Sequence, residues 1–407
     1  MTDLLPEEIR AMRDSVARFM RTEVLPVLDA YEERGEMPRE LVRKAGAAGF
    51  FGCLFPESVG GTGMGYLAQS VLVEEIARHD IRFVHPINQQ SGTCPTSVFL
   101  GGTPEQVRKY VPRFVAGELI GMMALTEPGG GSDALGAMRT TARLDGDVYR
   151  LNGSKTWITM GTSSEAGLVL AKTDPAAGAN GVTAFIVETK TPGFSAKKIP
   201  TLGLSKSFGA ASLFFDDVAV PVENRLGAEG EGFKIVMRAL QSGRINVGSM
   251  ALGIARACYE DAVQYAKDRV VRGHALGRYQ MIQSDIAEMA VALEASRSLM
   301  HEAARHMDAG LPTNRLASIA KFHCSQTAKM CADKAQQIFG GYGLSAEFRV
   351  SRYKCYADLM FVGEGPANVQ KILIAEDALG YKLADRHHGK TGLRQMGDEQ
   401  LSARAGA

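Results

Sequence analysis

Residues 124–136 read ALTEPGGGSDALG, a stretch that sets two acids, a hydroxyl pair and three consecutive glycines side by side. Glycines let backbone amides approach a ligand closely and form an anion-binding concavity. Thr126 and Ser132 add hydroxyls that suit a phosphate or the polar edge of a heterocycle. The same composition fits a glycine-rich hairpin loop with Glu127 and Asp133 in solvent, and the segment alone leaves both readings open. Downstream comes KTWIT, with Trp157, the chain's only tryptophan. An indole beside a polar loop suits packing on a flat cofactor; a place in the core is the other reading.

Other segments carry chemistry less well. GMGYLA at 63–68 has the glycine spacing of a dinucleotide fold, but the preceding FPESVGGT is a loop and not the strand such a motif requires. GLSKS at 203–207 lacks the glycine before lysine that a phosphate loop needs and reads as a turn. Neither HExxH nor GxSxG occurs, which weakens protease and α/β-hydrolase readings. The six cysteines form no CxxC, and the neighbours His387 and His388 lack the spaced partners of a zinc site. A reduced, metal-free chain is expected.

Three regions must position whatever the glycine-rich stretch does. Segments such as EEIRAMRDSVARFM and YLAQSVLVEEIARH carry apolar residues at three- and four-residue spacing, so residues 1–120 are expected to form a helical domain. Short β-type runs such as GLVLAKT, GVTAFIVE and ASLFFDDVAV, separated by Gly, Pro, Asn and Asp, predict a β domain over 121–228. Helical periodicity returns in long segments over 229–384, which predicts a bundle, and 385–407 reads as a polar tail. The β block is too short for alternating βα units, which argues for an α+β fold and against a doubly wound sheet.

Composition limits the partners. With 407 residues, 45% of them hydrophobic, the chain can bury a substantial core. Its 46 basic and 45 acidic residues leave no electrostatic footprint for nucleic acid. The charged N-terminus and the lack of a long apolar run predict neither a signal peptide nor a membrane span, so a cytoplasmic chain is expected.

Taken with the helix–strand–helix order, ALTEPGGGSD, NGSKTWIT, FFDDVAVP, QQIFGGYG and FVGEGPANVQ make the sequence resemble the acyl-CoA dehydrogenase family over roughly residues 5–383. The resemblance implies an N-terminal helical domain, a β-barrel-like middle domain and a C-terminal four-helix bundle enclosing FAD and a CoA thioester. By position, Leu125 and Thr126 would meet the flavin pyrimidine edge, Gly131 and Ser132 the pyrophosphate, and Trp157 and Thr159 the isoalloxazine. Arg269, Gln280, Gln337, Gly340 and Gly341 would hold FAD across a subunit boundary, implying a homotetramer.

Glu364 matches the family's base. A thioester α-proton is weakly acidic, so its removal needs a carboxylate with a raised pKa in a dry pocket and donors for the developing enolate oxygen. The family's alternative base position, on an earlier helix, is here Gly243, which carries no carboxylate. Arg244 and Gln241 are the candidate CoA contacts. The sequence departs from the family pattern at Arg272, Pro366 and Asn368, where phenylalanine, threonine and glutamine are customary.

The implied function is α,β-dehydrogenation of an acyl-CoA to a trans-2-enoyl-CoA, with electrons passed to an electron-transfer flavoprotein. An oxidase or hydroxylase, a carrier-protein thioester dehydrogenase and a flavin-binding protein without turnover are the alternatives on the same scaffold. HDIRFVHPINQQSG at 79–92 lies where glutaryl-CoA dehydrogenase-like members hold a distal carboxylate with an arginine. Arg82 falls near that position. Facing inward it would require an acidic acyl tail; lying along the surface it would leave a plain acyl chain.

Overall fold

The computed structural model describes residues 5–382. The expected tail at 385–407, with His387 and His388, lies outside the described residues.

Seven helices come first: α1 (Glu7–Phe19), α2 (Leu25–Arg34), α3 (Arg39–Ala47), α4 (Gly65–His79), α5 (Val84–Ile87), α6 (Cys94–Gly101) and α7 (Pro104–Val115). Their ends follow local chemistry. Glu7 and Glu8 occupy the positive first turn of α1 and Arg18 its last turn. Thr103 and Gln106 close a reciprocal capping box at the start of α7, with Pro104 at a position that needs no N–H donor. Helix α4 is buried along nearly its whole length because α1, α9 and α10 all pack on it.

A π-helical segment, Asn88–Thr93, joins α5 to α6. Pro95 cannot donate a backbone hydrogen bond, and side chains take over the carbonyls around it. Thr96 Oγ1 donates to Ser91 O at 2.8 Å, Ser91 Oγ to Ile87 O at 2.6 Å and Ser97 Oγ to Thr93 O at 2.9 Å. The segment thereby keeps a wide, buried turn at Asn88. π-Turns of this kind recur at functional sites.

The middle region holds β1 (Gly121–Ala124), a one-turn helix α8 (Ala134–Ala137), β2 (Thr141–Asp145), β3 (Val148–Thr159), β4 (Ala166–Lys172), β5 (Val182–Glu188), β6 (Phe194–Lys198), β7 (Ala210–Pro221) and β8 (Arg225–Leu226). They form one sheet in the order β6-β7-β3-β2-β4-β5-β8, with β1 parallel to β4. Strands β3 and β7 are antiparallel, and their register slips twice, between Leu151 and Gly153 and between Lys155 and Ile158. The first slip needs glycine: Gly153 has φ +146°, and a side chain there would run into Thr140. A separate apolar cluster containing Tyr149, Leu151, Phe185 and Leu213 packs inside this region.

The C-terminal region contains α9 (Gly232–Asp268), α10 (Gln280–Asp308), α11 (Asn314–Phe339), α12 (Val350–Val362) and α13 (Ala367–Ala378). Both α12 and α13 pack on α11, so the two short helices share the fourth place of the bundle. One large core cluster runs through the N- and C-terminal helices and reaches strands β4 and β5, including Leu168, Leu170, Ala184 and Ile186.

Candidate active site

The break between α12 and α13 is where the site forms. Gly363 ends α12, and Glu364 and Gly365 follow with φ +45° and +84° before Pro366 starts α13. Left-handed backbone is natural for Gly365 but strained for a glutamate. Two buried donors hold the turn: Lys321 Nζ and Gln370 Nε2 each donate to Gly365 O at 3.0 Å. Pro366 fits here because its fixed φ, −49°, suits the start of a helix.

The Glu364 carboxylate turns toward α9 and the π-segment. Asn88 Nδ2 donates to Glu364 Oε1 at 2.5 Å, while Oε2 is buried and accepts no hydrogen bond. Gly243 of α9 faces that oxygen, and any Cβ at this position would overlap Oε2. The glycine on α9 thus makes room for the carboxylate from the α12–α13 turn. Burial pushes Glu364 above its ordinary pKa, against the opposing effects of Asn88 and the Lys321 ammonium. Lys321 itself is brought down to about 8, mainly by burial, with Glu364 opposing and Arg244 assisting.

A second surface is built by the loop after β1. Lys155, fully buried on β3, donates to Leu125 O at 3.2 Å and Glu127 Oε1 at 2.8 Å. Thr156 N donates to Thr126 O at 2.9 Å, and Glu127 also accepts from Arg139 N at 2.6 Å and Thr140 N at 3.0 Å. These bonds fasten Leu125 and Thr126 beside β3. The second register slip then puts Trp157 at φ +59° and turns its indole out of the sheet, where it is 59% exposed. Leu125, Thr126 and Thr159 are half-buried, and Gly131 and Ser132 are exposed. The solvated-loop reading therefore fails for Glu127, which is an internal anchor, but holds for Asp133, which caps α8 through Gly136 N.

Arg269, Gln280, Gln337, Gly340 and Gly341 are all exposed at the ends of α9, α10 and α11. Arg269 lies over the Tyr342 ring, and side chains at Gly340 or Gly341 would meet nothing. Arg272 and Gly273, both with positive φ, form the tight turn of a small hairpin, Val270–Val271 against His274–Ala275. Arg244 is half-buried next to Gly243, whereas Gln241 is buried.

The two expectations for Arg82 both require correction. Its guanidinium is buried, but Asp80 holds it through 2.9 Å and 2.6 Å bonds and Asp29 adds a third at 2.7 Å. The charge is neutralised within the chain, so Arg82 neither demands an acidic acyl tail nor runs out along the surface. The rejected motifs also find ordinary roles. The α4 N-terminus within GMGYLA is closed by Asp308, which accepts from Tyr66 N at 2.6 Å and Leu67 N at 3.0 Å. The GLSKS loop packs on α2 and α12 through Glu32 and Tyr356.

Sequence reasoning passed over Asn88, Lys321, Lys155 and Gln370. Lys321 did leave a signal: it lies on a stripe of small residues, Ala317, Ala320, Cys324 and Ala328, where a lysine is out of place unless buried with a partner.

The likeness to known proteins extends over all three regions, from residue 6 to residue 379. The N-terminal, middle and C-terminal domain profiles of acyl-CoA dehydrogenase match residues 6–118, 122–218 and 230–379. A glutaryl-CoA dehydrogenase from Desulfococcus multivorans is 37% identical over 94% of this chain and 99% of its own length. Subunit CarC of a caffeyl-CoA reductase–Etf complex from Acetobacterium woodii is 38% identical over 89% of this chain and 95% of its own. A solved glutaryl-coenzyme A dehydrogenase–glutaryl-CoA complex superimposes with a TM-score of 0.91 at 36% identity, over 95% of this chain and 98% of that one. The chain belongs to the acyl-CoA dehydrogenase family, whose members are oxidoreductases. Its activity is dehydrogenation of the acyl-CoA dehydrogenase type.

Proposed function

We propose that the protein converts a saturated acyl-CoA thioester to its trans-2-enoyl-CoA with FAD as cofactor, and that Glu364 removes the α-proton. The observation that carries this reading is the buried Glu364 carboxylate, presented by a strained turn with one oxygen unpartnered and the facing helix cut back to Gly243. A base in this position must be desolvated, so that its proton affinity matches a weak carbon acid, and sterically open on the side of the substrate. Burial supplies the first property. Gly243 leaves the room on α9 into which the carboxylate turns.

The fit to FAD rests on an exposed indole at a strained position and on an adjoining glycine loop pinned to β3. Leu125, Thr126, Gly131, Ser132, Trp157 and Thr159 would hold the flavin and pyrophosphate. Arg269, Gln280, Gln337, Gly340 and Gly341 would complete the site from a neighbouring copy. FAD bound there would supply the hydride acceptor, flavin N5, for the β-hydrogen. Glu364 takes the α-proton on Oε2, its backbone N–H meets the developing enolate oxygen, and Arg244 contacts the CoA moiety. The Etf link of the Acetobacterium relative supports an electron-transfer flavoprotein as the oxidant of the reduced enzyme.

Arg82 is matched by Asp80 and Asp29, which supports a neutral acyl group. The test is an anaerobic panel of neutral and dicarboxylic acyl-CoA thioesters added to the FAD-loaded protein. Bleaching of the flavin by a neutral short-chain thioester, with slow reoxidation in air, is expected. Bleaching by none of them, or rapid reoxidation by oxygen, would refute the dehydrogenase reading.

A further inference from the structure

Glu364 stands at the end of a line of side-chain amides drawn from three separate elements. Gln69 on α4 donates through Nε2 to Asn246 Oδ1 on α9 at 3.2 Å. Asn246 Nδ2 donates to Asn88 Oδ1 at 3.1 Å, and Asn88 Nδ2 donates to Glu364 Oε1 at 2.5 Å. Gln69 and Asn246 are wholly buried and Asn88 is 7% exposed. Gly92 belongs to the same arrangement, since a side chain there would displace the Asn246 amide.

The chain has a direction, and elementary hydrogen-bond chemistry fixes it. An ionised carboxylate only accepts, so Asn88 must present its NH2 to Glu364 and its carbonyl to Asn246. Asn246 must then present its NH2 to Asn88 and its carbonyl to Gln69. At the far end this orientation leaves Gln69 Oε1 buried with no donor, although Gln69 Nε2 reaches Ser91 Oγ at 2.9 Å as well. A buried acceptor without a partner is costly, and a seam that served packing alone would gain by avoiding it. The neighbouring Ser70–Ser249 pair, on the same two helices, is self-contained at 2.7 Å.

We propose that Asn88, Asn246 and Gln69 are positioning residues, forming a one-way amide chain that aims the Glu364 carboxylate and keeps it ionised inside its pocket. Aligned amide dipoles reinforce one another where the surroundings are apolar, and every dipole here points its positive end toward Glu364. The charged group that acts on the carboxylate from the other packed elements is Lys321 on α11, itself acted on by Arg244 of α9. Gln370 on α13 is spent on the Gly365 carbonyl. Asn88 is therefore the direct hydrogen-bond partner of the base, and Asn246 and Gln69 act through it. The role of these residues in catalysis rests on Glu364 being the base. Their effect on the carboxylate does not.

The test reads the carboxylate directly. FAD-loaded protein labelled with 13C at glutamate Cδ is titrated by NMR, with the Glu364 signal assigned by its loss in Glu364→Gln. Asn88→Leu should raise the Glu364 midpoint by at least about one pH unit, the order expected when an ionised group loses a close donor. Asn246→Leu should raise it by a smaller amount, and Ser249→Ala should leave it in place. Asn88→Ser, which shortens the side chain without adding apolar bulk, should shift it in the same direction as Asn88→Leu. An unmoved midpoint in Asn88→Ser and Asn246→Leu would overturn the proposal. The acid limb of anaerobic flavin reduction by an acyl-CoA should move with the midpoint. A moved midpoint with an unmoved rate profile would uphold the amide chain and refute Glu364 as the base.

Discussion

Glu364 and Arg82 are both buried charged residues, and the contrast between them separates function from structure. Arg82 is matched by carboxylates on two sides, with Asp80 6% exposed, as befits a structural ion pair. Arg82→Met should lower the unfolding free energy by about 3 kcal/mol in denaturant titrations and leave the ranking of neutral over dicarboxylic thioesters unchanged. Glu364 lacks a counter-ion in contact, and burial raises its pKa in the folded state. A group with a raised folded pKa contributes its stability below the unfolded pKa and loses it as pH rises through the folded one. At pH 7 the wild-type protein carries this penalty. Glu364→Gln should therefore melt at a higher temperature than wild type at pH 7, and the gap should narrow as pH falls through the folded pKa and stop changing below about pH 4, where the acid is protonated in both states. A gap that widened toward acid would contradict the assignment of burial as the cause.

At the scale of elements, the loop after β1 and the second slip in β3 act as one device. Lys155 and Glu127 anchor the loop inward while the slip turns Trp157 outward. Because the indole is 59% exposed, Trp157→Ala should leave the melting temperature of the FAD-free chain within about 2 °C of wild type, in keeping with the small effects of surface substitutions. It should also weaken FAD retention at least ~10-fold, which fluorescence titration would read; a large fall in stability with unchanged retention would make Trp157 a core residue. The order of elements was legible from period alone, because apolar spacing of three and four in α4 or α9 and short branched runs in β4 and β5 report burial directly. The residues proposed for the flavin were singled out because glycines and a lone tryptophan stand out from either pattern. Lys155 and Asn88 were not, since each acts through a partner remote in sequence, Glu127 and Glu364, that no local period encodes. Arg82 misled for the opposite reason. Its partner Asp80 lies two residues away, and the 3-10 turn that brings the two together is not apparent from spacing.

For the molecule as a whole, the described surface carries exposed apolar residues on the bundle, among them Met281 and Val291 on α10 and Ile372 on α13. We propose that a neighbouring copy of the chain covers them. The exposed Arg269, Gln280 and Gln337 lie at helix ends of the same bundle. The holoenzyme should therefore run at the mass of four 43.7 kDa chains in light scattering, with one FAD per chain. Val291→Glu should reduce both the mass and the FAD content, whereas a monomer that retains full FAD would remove the shared site. If the buried Glu364 carboxylate at the α12–α13 break removes the α-proton, rapid mixing of Glu364→Gln with a short saturated acyl-CoA under anaerobic conditions will reveal its loss. The variant should retain FAD and bind the thioester, yet reduce its flavin at least ~10³-fold more slowly than wild type, as loss of an essential proton acceptor requires. Reduction within tenfold of wild type would show that another group removes the proton.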